Sequence, residues 1–277
     1  MGQTLVWRAK EDYIFGRSEA KLNKERQLEI GNPYRKIGDE AFKNNIKVRS
    51  ITLDRNVNEV GNNSFESCTA IRNVETQGIK CLRKAAFSSC YNLRSMTLPD
   101  TLEYIGKNAF SCCKRMENFC IDPKSPINKI QKETFSDCIG LTKVELPDGI
   151  ECIDDKAFYR CIALENIRMP KKLKEIGEFA FYQCGLTAIE FPEGLEQIGS
   201  SAFLKCRKLE SVRIPETVKV IGKWTFHGCD RLKTVEIAHD PEYIGDWIIN
   251  RSAKIRCYKG SKADHYCQQN GFTVEYI

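Results

Sequence analysis

The stretch IGSSAFLKCRKLESVRIP, residues 198–215, contains every position of a unit that recurs along most of this chain. The unit has an aliphatic residue and a glycine, then Ala-Phe, a cysteine, three spaced apolar residues and a proline: Ile198-Gly199, Phe203, Cys206, Leu209, Val212, Ile214 and Pro215. A repeating unit of this kind has to be identified before any other structural inference, because it determines the whole architecture.

Phenylalanine is the most regular position of the repeat. It recurs with gaps of 22 to 25 residues, at positions 42, 65, 87, 110, 135, 158, 181, 203 and 226. Cysteine stands three residues after eight of these phenylalanines, and Asn45 takes that place in the first repeat. One such unit is too small to bury its own apolar side, whereas stacked units share a continuous core. The sequence therefore predicts a solenoid.

The segment between the cysteine and the proline alternates apolar and polar residues, as in Val144, Glu145 and Leu146. This period of two predicts a short strand. One strand per repeat, all running in the same direction, gives a parallel sheet along one face. Proline ends the strand because it cannot donate to the ladder, and the glycine is expected where a side chain is not tolerated. The Ala-Phe segment is predicted to form a turn or short helical piece on the opposite side.

The two ends depart from the repeat. We predict an N-terminal cap and lead-in at residues 1–36, a solenoid at 37–250 and a strand-helix-strand cap at 251–277. In that cap a strand covers Ile255 to Cys257, a helix covers Ser261 to Gln269 with Ser261 as N-cap, and a last strand runs from Phe272 to Ile277. A cap of this kind covers apolar surface that a terminal coil leaves bare.

The unit Ile-Gly-x-x-Ala-Phe-x-x-Cys-x-x-Leu-x-x-Val-x-Leu-Pro resembles the BspA-type, or Treponema pallidum-type, leucine-rich repeat over roughly residues 28–277. The resemblance implies an α/β repeat fold: a leucine-rich-repeat solenoid of about nine to ten coils, with a parallel sheet on one face and short helical or turn segments opposite. It also implies a role in interaction, since family members are often bacterial surface proteins that bind host matrix proteins or other cells. No family binding motif is present to be transferred residue by residue.

Charge and hydropathy narrow the classes of partner. The net charge of +6 comes from 43 basic and 37 acidic residues, a mixed surface that does not favour nucleic acid. No stretch approaches the roughly 20 apolar residues of a membrane helix. The start lacks a signal-peptide pattern, which predicts a cytoplasmic protein. A secreted or cell-surface location is the alternative if residue 1 is not the native start. We expect a monomer.

Reactive groups are numerous but not arranged for catalysis. Eight of the 14 cysteines occupy the repeated slot, where stacked Cβ atoms lie about 4.8 Å apart, further than the ~3.8 Å of a disulfide. Free thiols are therefore favoured. Zinc binding by Cys112, Cys113 and Cys120 is an alternative that the buried slot of Cys113 disfavours, and Cys120 is expected to be the most reactive thiol. The three histidines, His227, His239 and His265, lie in different structural contexts, and no phosphate loop or hydrolase motif is present. We predict a protein that is not an enzyme and has no metal or cofactor.

The outward strand positions are the candidate binding residues. From Glu145 onward their charge alternates from coil to coil, and the predicted partner-binding set is Glu145, Arg168, Glu190, Arg213, Glu236 and Arg256 with the adjacent Lys143 and Asn166. Neighbouring strands place these side chains about 5 Å apart. The set predicts either a face that recognises an unknown protein, such as a host matrix or cell-surface protein, or a structural scaffold whose charge ladder pairs only with itself.

Overall fold

Stacked parallel coils form the whole described part of the chain, residues 13–277 of the computed structural model. Most coils contribute a strand to one face, here called the sheet face, and most add a second strand of two residues after the turn that follows. The helices are α1 (Arg17–Leu22) and α2 (Lys262–Asn270). The strands are β1 (Ile14–Phe15), β2 (Gln27–Ile30), β3 (Lys36–Ile37), β4 (Ser50–Leu53), β5 (Glu59–Val60), β6 (Asn73–Thr76), β7 (Cys81–Leu82), β8 (Ser95–Leu98), β9 (Tyr104–Ile105), β10 (Asn118–Ile121), β11 (Lys129–Ile130), β12 (Lys143–Glu145), β13 (Cys152–Ile153), β14 (Glu175–Ile176), β15 (Gln197–Ile198), β16 (Ser211–Ile214), β17 (Val220–Ile221), β18 (Thr234–Ile237), β19 (Tyr243–Ile244), β20 (Lys254–Cys257) and β21 (Thr273–Tyr276).

Every strand pair is parallel, which confirms the predicted sheet and solenoid. The sheet face consists of three sections, β2-β4-β6, β8-β10-β12 and β16-β18-β20-β21. The two-residue strands form two further ladders, β1-β3-β5-β7-β9 and β11-β13-β14-β15-β17-β19. Residues 122–126 are an insertion in the longest repeat. This repeat lies between β9 and β11, where the ladder of two-residue strands is interrupted.

A column of stacked phenylalanine rings runs through the core. The centroids of successive rings lie 5.0–5.7 Å apart with interplanar angles of 2–15°, from Phe15 to Phe226. Each ring from Phe42 onward in the column is buried. Phe110 and Phe135 stack at 5.7 Å across the insertion, so the extra residues leave the core spacing intact. Ring stacking therefore sets the register of one coil on the next.

The cysteine slot joins neighbouring coils by a hydrogen bond. Each of the eight column thiols donates to the carbonyl of the phenylalanine one coil earlier, from Cys68 to Phe42 at 3.0 Å through Cys229 to Phe203 at 3.3 Å. Asn45, in the same slot of the first repeat, instead accepts from the backbone N–H groups of Lys47 and Val48. The slot thus requires a small side chain that satisfies main-chain polar groups in the core.

Turns, not helices, form the side opposite the sheet face. Residues two before and two after each phenylalanine have left-handed backbone, as at Glu40 (φ 56°) and Asn44 (φ 64°) around Phe42. This geometry directs the N–H groups of Glu40, Phe42 and Asn44 to carbonyls of the next coil. Left-handed backbone is unfavourable for most residues, so hydrogen bonds between coils hold it in place.

The repeated glycine is required by close approach between coils. A Cβ atom on Gly222 would lie 2.3 Å from the backbone nitrogen of Ser200, and one on Gly199 would lie 2.7 Å from the carbonyl carbon of Gly177. Neither contact is sterically possible without a shift of the backbone. The sequence-based interpretation of this glycine is confirmed.

The ends are closed by different elements. The ring of Phe15 stacks on that of Phe42, and β2 pairs with β4, so coil stacking already begins within the stretch predicted as lead-in. Of that stretch, residues 1–12 lie outside the described part. At the other end β20, α2 and β21 form the expected strand-helix-strand unit, with the Ser261 hydroxyl accepting from the N–H of Asp264 and Gly271 left-handed at φ 70°. The domain boundaries themselves stay a prediction.

Replacement of Phe158 by alanine should lower the free energy of unfolding by about 3–5 kcal/mol, because it leaves a cavity between the rings of Phe135 and Phe181. Leu22→Ala is the control: Leu22 is 82% exposed, and its removal should change stability by less than about 0.5 kcal/mol. Urea unfolding followed by circular dichroism measures both. A loss below about 1 kcal/mol for Phe158→Ala would contradict the stacking argument.

The core thiols should be unreactive while the chain is folded. Burial raises the pKa of Cys68 and Cys229 to about 12, and a raised thiol pKa leaves less of the nucleophilic thiolate at pH 8. Ten of the fourteen cysteines are buried. Titration with an aromatic disulfide reagent at pH 8 should therefore modify at most four thiols per native chain and all fourteen after unfolding. Reaction of more than four without unfolding would overturn this assignment.

Candidate functional site

The predicted binding residues all lie along the sheet face. Lys143 and Glu145 are on β12, Arg213 is on β16, Glu236 is on β18 and Arg256 is on β20. The other three, Asn166, Arg168 and Glu190, are exposed but lie on segments that do not form strands. Six of the residues therefore follow one column of the face, Lys143 and Asn166 lie in the column beside it, and the backbone is regular only at the two ends.

The C-terminal end of the column is a paired charge ladder. Arg213 Nε lies 3.4 Å from Glu236 Oε1, and Glu236 Oε2 lies 3.1 Å from Arg256 Nη1. The ladder continues to Glu275 on β21, whose Oε1 lies 3.7 Å from Arg256 Nε. Strand register aligns these residues. Here the predicted pairing of each charge with its neighbours is confirmed.

The predicted pairing between neighbouring coils is wrong for Glu145, Arg168 and Glu190. Glu145 pairs with Lys143 of its own strand at 2.7 Å, and Arg168 turns to Asp148 at 2.7 Å. Among residues 13–277, no basic group lies within 4.0 Å of the Glu190 carboxylate. The backbone does not align these side chains, because residues 166–169 and 188–191 form no strand pair with each other or with β12 and β16.

A groove opens where the strands are missing. It has a volume of about 430 Å³ and is lined by residues 166–169, Lys171 and residues 188–192; we call it the sheet-face groove. Its floor includes Ile167 and Ile189, both buried. Within the described chain, the backbone N–H and C=O groups of residues 166–169 and 188–191 have no main-chain hydrogen bond. The groove thus combines an apolar floor, free peptide groups and the unpaired carboxylate of Glu190.

A second discontinuity separates β6 from β8. The hydroxyl of Thr76 donates to the carbonyl of Thr97 at 3.2 Å across it, and the neighbouring groove has a volume of about 470 Å³. Glu75 and Asp122 line this groove. A side-chain hydrogen bond bridges this gap between the strands of adjacent coils. At the sheet-face groove, by contrast, two consecutive coils have no strand on the sheet face, so the strand ladder is interrupted over more coils there.

The other potentially reactive side chains, the thiols and histidines, make structural contacts. Burial and a hydrogen bond to Glu145 at 3.1 Å raise the pKa of Cys120 to about 11, so this thiol is a poor nucleophile, contrary to our expectation. Cys113 donates to Phe87 in the core. His239 Nε2 lies 2.7 Å from the carbonyl of Val218. In the described chain, no three potential ligands are placed to hold a metal ion.

Sequence reasoning missed a second column on the sheet face. Four consecutive coils carry arginine immediately before the strand, here called the arginine column: Arg26, Arg49, Arg72 and Arg94. All four side chains are exposed. The column can be found in the sequence when the repeats are aligned. The arginine follows the first apolar residue of each strand segment, as in Val48-Arg49, Ile71-Arg72 and Leu93-Arg94.

No helix in the described residues has the length and apolar character to cross a membrane. A comparison with curated proteins finds no match. Among solved structures, a leucine-rich repeat protein from Bacteroides ovatus is 24% identical with a TM-score of 0.60, covering 86% of this chain and 73% of its own. A T. pallidum leucine-rich repeat protein is 22% identical with a TM-score of 0.44, covering 87% of this chain and 89% of its own. The first likeness supports the solenoid fold.

The family comparison covers nearly the whole described chain. The BspA type leucine rich repeat region matches residues 12–139 and 128–256, with six copies of the repeat. These matches include the phenylalanine and cysteine columns and the sheet face from β2 to β18. The chain therefore belongs to the BspA-type leucine-rich-repeat family.

Proposed function

We propose that this protein binds another protein at the sheet-face groove, as a non-enzymatic interaction module. Repeat proteins of this architecture present extended surfaces built from equivalent positions of successive coils. The observation that carries the proposal is the pair of segments 166–169 and 188–191, which lie on an exposed sheet face and have no main-chain hydrogen-bond partner among residues 13–277.

Free peptide groups beside a sheet favour an extended segment of the partner. Such a segment adds main-chain hydrogen bonds to an incomplete sheet, while side-chain pockets provide selectivity. Two features of the groove can select a partner side chain. They are the apolar floor at Ile167 and Ile189 and the small, exposed side chain of Ala188, which also lines the groove. An apolar side chain of the partner fits the floor.

The charges of the groove indicate what the partner carries next to that apolar residue. Glu190 is exposed and has no ion pair with any of residues 13–277, whereas Arg168 and Lys171 both lie near Asp148, at 2.7 and 3.6 Å. A lysine or arginine of the partner therefore has a carboxylate available at Glu190. Electrostatic complementarity of this kind determines selectivity more than affinity.

The scaffold alternative is favoured at the C-terminal end of the same face. There Arg213, Glu236, Arg256 and Glu275 pair with one another. Arg213→Glu should place a glutamate directly beside Glu236 and lower the free energy of unfolding by up to about 1 kcal/mol, since Arg213 is largely exposed. Reduced thermal stability with unchanged partner binding would assign that end a structural role.

Hydrogen exchange checks the open backbone directly. In the free protein, amides of residues 166–169 and 188–191 should exchange at least about 100-fold faster than the strand-paired amides of Val235 and Ile237, because unpaired amides need no opening step. Exchange read by mass spectrometry or NMR measures this. Equal protection in the two regions would show that the sheet is continuous.

Binding is tested with a panel of purified matrix and cell-surface proteins, read by biolayer interferometry. Glu190→Lys should weaken a bound partner about tenfold by replacing an attractive charge with a repulsive one. Glu193→Lys, an exposed reversal outside the groove lining in the same coil, is the matched control and should leave affinity unchanged. A partner bound equally by wild type and Glu190→Lys, with no protection of residues 188–191, would contradict the proposed site.

A further inference from the structure

The arginine column is held in register by main-chain hydrogen bonds. The N–H of Arg49 donates to the carbonyl of Arg26 at 2.7 Å, that of Arg72 to Arg49 at 2.8 Å, and that of Arg94 to Arg72 at 3.3 Å. Four arginines therefore leave the solenoid from equivalent points on successive coils, separated by about 4.8 Å each. At the next coil Glu117 takes the same position and ends the column.

No carboxylate neutralises these arginines. Within residues 13–277, none of the four forms an ion pair or a side-chain hydrogen bond with another residue. Lys47, beside the column, is also exposed and without an ion pair in that range. Glu25 adjoins Arg26 and Glu117 follows Arg94 in the next coil, yet neither carboxylate lies within 4.0 Å of a column guanidinium in that range. Like charges placed on adjacent strands repel.

The contrast with the other end of the face shows that this arrangement is not a general feature of the repeat. Arg213, Glu236, Arg256 and Glu275 alternate in sign and pair, while the arginine column has one sign throughout. An anion bound along Arg26, Arg49, Arg72 and Arg94 would relieve their mutual repulsion. The column next to them is small and polar, formed by Gln27, Ser50, Asn73 and Ser95, which permits close approach.

Spacing distinguishes between shapes of anionic partner. Three intervals of the column span about 14 Å. Three turns of an α-helix span about 16 Å at 5.4 Å per turn, whereas an extended chain with alternate side chains on one face spans about 20 Å over three intervals. The helix matches the column more closely. Arginine also suits carboxylates, because its guanidinium binds both oxygens at once.

We infer that the arginine column binds an α-helix of a partner protein, aligned with the solenoid axis and carrying one carboxylate per turn at positions i, i+4, i+7 and i+11. The inference takes from the proposed function only that the partner is a protein, since its surface is separate from the sheet-face groove. The groove receives an extended segment and the column receives a helix, so either can be correct without the other.

The experiment uses a synthetic alanine-rich peptide of about 20 residues, long enough to be helical, with glutamates at the four stated positions. A second peptide has the same composition and helicity but distributes the glutamates around the helix. Fluorescence anisotropy at low salt should give at least about fivefold tighter binding for the first peptide. Equal affinity of the two peptides would overturn the match in spacing.

Charge reversal locates the binding. The double variant Arg49→Glu with Arg72→Glu should weaken the first peptide at least about tenfold and reduce the salt dependence of its binding. The control is Arg231→Glu with Lys233→Glu, two exposed residues of which Lys233 holds the same position in a distant coil. Thermal unfolding should show both variants folded. Equal losses in the two variants would overturn the assignment to the column.

Other polyanions serve as competing probes. A sulfated polysaccharide and single-stranded DNA are titrated against wild type and the Arg49→Glu with Arg72→Glu variant. If either binds through the column while the acidic helix does not, the column recognises a different class of macromolecule and the inference is wrong. A failure of the helix to bind, with Glu190-dependent binding at the groove retained, would leave the proposed function standing.

Discussion

Register between neighbouring coils is the constraint on which the structure depends. A phenylalanine ring has to meet the next ring at about 5 Å, and the backbone around it donates to the following coil. The thiol three residues later donates back to the earlier coil, as Cys90 does to Phe65. Dispersion between the rings and hydrogen bonds in the core therefore act at the same place, and they fix the strand register on the sheet face.

Much of this was predictable because the repeat encodes it. Phe203, Cys206 and Gly199 each stand for a column, so one unit specifies the core, the direction of the strands and the close approach at glycine. The C-terminal cap was predictable for a different reason. Ser261 and Gly271 are local signals that begin and end a helix regardless of what surrounds it.

The candidate site was less predictable, because it depends on departures from the repeat. Alternation of sign suggested that Arg168 would pair with Glu145 and Glu190, yet it pairs with Asp148, which follows the strand and has no place in the alternating pattern. The coil containing Glu190 has one residue fewer between Cys184 and Leu186, and the sequence does not show how a coil accommodates that change. The same face consequently holds a paired ladder, an open groove and an arginine column, although its strands look alike in sequence.

The hydrogen bonds around the phenylalanine also have a direction. The N–H groups of this segment donate to the following coil, and in the eight coils that have the cysteine its thiol donates to the preceding one, as shown by Phe42 with Ser64 and by Cys68 with Phe42. Each coil therefore presents the same donors and acceptors to whatever precedes or follows it. Duplication or loss of a whole unit therefore preserves every such contact, so the length of the solenoid can change without a change in its core.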